Sequence, residues 1–88
     1  MTKLEMQFMK GLKICNQTIQ DNQLLLMSLQ NDVRILVHEY YDSNPRMIDQ
    51  NDFEFQYSLL KAQMDIARLR IKVCVRAIQQ NDIQVKEN

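Results

Sequence analysis

The residues best suited to chemistry in this chain are cations. Between Ile66 and Ile78 lie Arg68, Arg70, Lys72 and Arg76, with no acidic residue among them. Arg68, Lys72 and Arg76 recur at every fourth position, which sets them along one ridge of a helix. Such a ridge suits two purposes. Cations near a helix C-terminus offset the carbonyl end of its dipole and keep an outer face solvated. Guanidinium groups also match phosphate oxygens in pairs, and symmetry would gather several ridges into pockets lined by more than one chain. Phe8, near the other end of the sequence, serves either as a core residue or as a platform for a stacked base. Arg76, Lys72, Arg68 and Phe8 are therefore the candidate ligand-binding residues.

Catalysis finds little support. His38 is the single histidine, and no metal-spaced cluster or nucleophile–base pair surrounds it. The carboxylates are scattered, with no pair set for acid–base work. No enzymatic activity, metal or cofactor is expected. Eleven basic residues balance eleven acidic ones, so bulk charge does not draw the chain to DNA or to a membrane surface. One Gly and one Pro in 88 residues exclude a turn-rich β-sandwich or barrel and a glycine-built phosphate loop. Cys15 and Cys74 fall in apolar stripes and read as reduced packing residues, with a cross-helix disulfide as the alternative. No secretory signal pattern and no apolar run of membrane-spanning length is present, so a cytoplasmic location is expected.

The elements that must position these groups are helices. Thr2 and Glu5 have capping-box spacing. An apolar seam then runs Phe8, Leu12, Cys15, Ile19, Asn22, Leu26, Leu29, Val33, Leu36, Tyr40 in steps of three and four. Asn22 interrupts it, as a residue that fixes register in such seams does. Gly11 either ends a short first helix, kinks a continuous one or admits a close backbone. Asp42-Ser43-Asn44-Pro45 stops the arm, and Asn51 with Glu54 offers a second capping box. The next helix carries Phe53, Tyr57, Leu60, Met64, Ala67, Ile71, Cys74 and Ile78. It also carries a second stripe of Leu59, Ala62, Ile66, Leu69, Val73 and Ala77. Two apolar faces demand two neighbours, and a core this small is marginal alone. The expectation is an all-α protein, a long helical hairpin assembling into a multi-chain helical bundle. It forms a single domain, residues 1–88: a first arm at about 2–41, a bend at about 42–51, a second helix at about 52–80 and a polar tail at 81–88.

Asn44-Pro45-Arg46 at the bend and Arg76-Ala77-Ile78 in the last helix, within a small helical hairpin, resemble the phage anti-CBASS sponge family. That resemblance implies a compact oligomer, typically a hexamer, that sequesters cyclic di- and trinucleotide immune signals between subunits without cleaving them. It implies a phosphate contact at Arg76, with Phe8 in place of the family's stacking tyrosine. The chain departs from the family in having no lysine or arginine from Asn16 to Asn31, and in about eight extra residues between Arg46 and the last helix. If phage-encoded, the protein would act in the host cytoplasm.

Two functions are expected from these features. One is the sponge: a homo-oligomer binding a cyclic oligonucleotide through Arg76, Lys72, Arg68 and Phe8. The alternative is a small helical protein-interaction module, chaperone-like or a host inhibitor, whose second stripe masks a partner helix.

Overall fold

A computed structural model describes residues 2–45 and 47–87, with the side chains of 81–87 outside that description. The chain forms two helices, α1 (Lys3–Tyr41) and α2 (Gln50–Glu87), packed as an antiparallel hairpin with extents of 65 × 18 × 15 Å. No strand is present among the described residues. The expected all-α hairpin is the observed fold.

Local chemistry sets the helix ends. Thr2 Oγ1 accepts from the Glu5 amide at 3.2 Å, which opens α1 with the hydroxyl half of the expected capping box. α1 closes where the Asp42 amide donates to the His38 carbonyl at 2.9 Å. The Asp42 carboxylate also lies 3.1 Å from His38 Nδ1, an exposed contact at the helix end. α2 starts ahead of the Asn51–Glu54 box. Asp49 is the cap, its carboxylate accepting from the Asp52 amide at 2.8 Å and its carbonyl from Phe53 at 3.0 Å. A carboxylate next to the unpaired amides of a first turn also complements the helix dipole. Glu54 instead accepts from the Gln50 side chain at 3.1 Å. The helix then runs to Glu87, past the expected end near 80, and no Gly or Pro follows Pro45 to stop it. Arg46, the third residue of the bend motif, and Asn88 lie outside the described residues.

Gly11 does not end α1. It sits in uninterrupted helix without positive φ, and a Cβ there would meet nothing within 4 Å.

The inner seam follows the apolar repeat. Every α1 position of that repeat is buried or half-buried, as is every α2 position except Tyr57. Tyr40 stacks on Phe53 with ring centroids 4.3 Å apart, and Tyr41 meets Phe53 edge-on at 5.7 Å, closing the bend end with aromatics. Cys15 interacts with Cys74 toward the open end. These two pairings fix the register of the hairpin.

The core is thin. Among the described residues, Leu29, Leu36, Tyr40 and Ala67 are the buried apolar ones, and no large side chain is completely enclosed. The accessible surface is 7238 Å², whereas a compact monomer of this mass exposes about 5,400 Å². The radius of gyration is 19.5 Å, against about 12 Å for a compact chain of this length. One hairpin thus leaves far more surface in water than its size requires.

Candidate functional site

The predicted ligand residues do not converge within one chain. Arg68, Lys72 and Arg76 are all exposed on α2, but each step of four residues turns about 40° around the axis. The ridge therefore spirals. Arg68 looks into the groove between the helices, whereas Arg76 falls in line with the outer apolar stripe. The three positions also spread over about 12 Å of helix. Phe8 is half-buried on the inner seam, beyond the Cys15–Cys74 pair, while Arg68 lies on the bend side of that pair. About 20 Å of helix axis separates them.

Their electrostatic settings differ too. Arg68 donates to the Asp65 carboxylate at 3.3 Å, an exposed pair one turn apart. Lys72 and Arg76 form no hydrogen bond or ion pair among the described residues.

Arg68 does join one concave feature. Gln30, Val33, Tyr57, Lys61, Met64 and Arg68 line an open cleft of about 280 Å³ along the interhelical groove. Its walls combine an aromatic ring, two cations and apolar side chains. Lys61 and Tyr57 were not among the sequence-derived site residues. Their separation from Arg68 by seven and eleven residues, two and three helical turns, is the spacing that would have grouped them.

The inner seam holds two further polar features. Asn22 is 7% exposed, and its side-chain amide donates to the Thr18 carbonyl of its own helix at 2.7 Å. Its Oδ1 is buried and has no hydrogen-bond partner among the described residues. Cys15 titrates above its ordinary value, first because burial penalises the thiolate, then through its hydrogen bond with and the charge of Cys74. Both cysteines are free thiols.

A further feature of α2 is apolar. Phe55, Leu59, Ala62, Ile66, Leu69 and Val73 step along α2 in threes and fours, on the face turned about 160° from the inner seam. All six are exposed, Phe55 by 69% and Leu69 by 59%. Ala77, the last residue of the expected second stripe, is half-buried and belongs to the flank of the inner seam.

Comparison with protein-family profiles, curated proteins and solved structures finds no match. Among the described residues, no cluster of three His, Cys, Asp or Glu is placed to hold a metal ion, and no helix is long and apolar enough to cross a membrane.

Proposed function

We propose that this chain is a non-enzymatic helical interaction module whose working surface is the outer face of α2, a strip that takes a further helix. One observation carries the reading: α2 has two opposed heptad seams, and α1 covers only one. An a/d pattern sustained from Phe55 to Val73 spans about 27 Å. Solvent gives such a pattern nothing to pack against, whereas a second helix seats its side chains knobs-into-holes. The thin core points the same way, because burying the strip supplies apolar contacts that a single hairpin lacks.

The test is substitution on the strip. Ile66→Asp with Leu69→Asp changes no inner-seam contact, so helicity is retained. Association should vanish, whether with itself in pure form or with another protein in an extract of its source cells. A wild-type chain that migrates as a free monomer in both settings contradicts the reading.

A second reading follows from the cleft. Tyr57 beside Lys61 and Arg68 offers a stacking ring and two cations, the combination that a base carrying phosphate requires. This supports sequestration of a cyclic oligonucleotide in the sense of the sponge resemblance, but centred on Arg68 rather than on Arg76. A thermal-shift panel of cyclic di- and trinucleotides tests it: ligand far above Kd should raise Tm by several degrees. An unchanged melt across the panel rules it out.

A further inference from the structure

We infer that the outer face of α2 pairs antiparallel with the same face of a second copy of this chain, about a two-fold axis level with Met64. The inference rests on the reading of that face as a helix-binding strip and names its occupant.

The strip is complementary to itself when reversed. Antiparallel pairing about that axis sets Phe55 against the second copy's Val73, Leu59 against its Leu69, and Ala62 against its Ile66. Each layer occurs twice by symmetry, and larger side chains face smaller or equal ones throughout. The same alignment carries one layer further at both ends. There Asp52 faces Arg76, so opposite charges close each end of the apolar stretch. Among the described residues Arg76 makes no ion pair, and Asp52 engages through its backbone amide, which donates to Asp49.

Parallel pairing in register fares worse at these positions. It stacks Asp52 on Asp52 and Arg76 on Arg76, like charges placed directly in the seam. Its compensation is on the flank, where Asp65 would approach Arg70. Flanking pairs remain in water and are worth little. In the antiparallel pair the two Asp65 side chains approach each other at the axis, and each is already held by its own Arg68 at 3.3 Å. The charges on the seam decide the direction.

A standard interface removes about 800 Å² from each partner. One hairpin exposes about 1,800 Å² more than a compact monomer of its mass, so there is surplus surface for an interface of that size to cover. The product is a row of four helices, α1–α2–α2–α1, with the Arg68 cleft left open on each hairpin.

Cysteine cross-linking of the full chain tests direction and register together. Under mild diamide oxidation, Asp65→Cys and Gln63→Cys should each yield a covalent dimer, because both sites lie beside the axis. Val73→Cys alone should not, because its two copies sit about 27 Å apart along the helices. A mixture of Phe55→Cys and Val73→Cys chains should give the mixed dimer. Wild type is the control, its two thiols being on the inner seam. A covalent dimer of Val73→Cys alone, or none from either Asp65→Cys or Gln63→Cys, overturns the inference. A chain that is monomeric when pure but complexed in an extract also overturns it, while leaving the helix-binding reading intact.

Discussion

Asn22→Leu should make the hairpin more stable. Asn22 is 7% exposed and its Oδ1 has no partner among the described residues, so folding strips that acceptor of water without replacing the bond. Removing a buried unsatisfied polar group recovers about 1–3 kcal/mol. The bond from its amide to the Thr18 carbonyl is lost, at about 0.5–1.5 kcal/mol. Leucine adds apolar burial worth about 0.8 kcal/mol per extra methylene, and it prefers the helix by a few tenths of a kcal/mol. Crowding on the inner seam, where Ala67 is fully buried, subtracts about 1 kcal/mol. The net expectation is about 1–2 kcal/mol of added stability, read as a rise of roughly 4–16 °C in Tm. Melts must be compared at matched protein concentration, since association would also raise Tm. An equal or lower Tm would show that the Asn22 oxygen is satisfied in the folded protein, and would refute the reasoning.

Other perturbations probe separate parts of the molecule. Gly11→Ala should stabilise the hairpin by about 0.5–1 kcal/mol in thermal melts, because the glycine lies in an exposed helix interior with open space at Cβ; a loss of stability would mean that another chain packs there. Leu36→Ala should cost about 2–4 kcal/mol in denaturant titrations, since Leu36 is among the few buried apolar residues, and a cost below 1 kcal/mol would contradict that packing. Folding favours the protonated Cys15 thiol, so its contribution is present below the ordinary value of 9.0 and fades as pH rises through the higher folded value. Tm should therefore fall more steeply above pH 9 in wild type than in Cys15→Ala, and equal slopes would contradict the shift. Diamide should join Cys15 to Cys74 within one chain, each thiol losing a proton and an electron to the oxidant. That closes a loop of about 60 residues and adds roughly 4 kcal/mol of stability; oxidised material with both thiols still alkylatable would place the pair too far apart.

The hairpin was legible because burial follows periodicity. The α1 repeat from Phe8 to Tyr40 and the α2 repeat from Phe53 to Ile78 are the inner seam, with Tyr57, 42% exposed, the sole exposed member. Two opposed faces on α2 were legible for the same reason. The start of α2 is ambiguous in the sequence because Asp49, Asn51 and Asp52 all cap well, and the path of the bend selects Asp49. The α1 wall of the cleft was invisible in sequence, since it depends on register: Gln30 and Val33 reach Tyr57, Lys61 and Arg68 only when Tyr40 stacks on Phe53. Spacing by four likewise grouped Arg68 with Arg76, although the drift of a helix with 3.6 residues per turn divides them between groove and outer face.

Sedimentation equilibrium over a micromolar concentration series asks most directly whether the bare side of α2 is covered by another helix of the same kind. The expected mass is about 21 kDa, twice the 10.5 kDa chain, falling to the single-chain value when Ile66 and Leu69 both become aspartate. A constant 10.5 kDa for the wild type, or an assembly indifferent to those two substitutions, would contradict it.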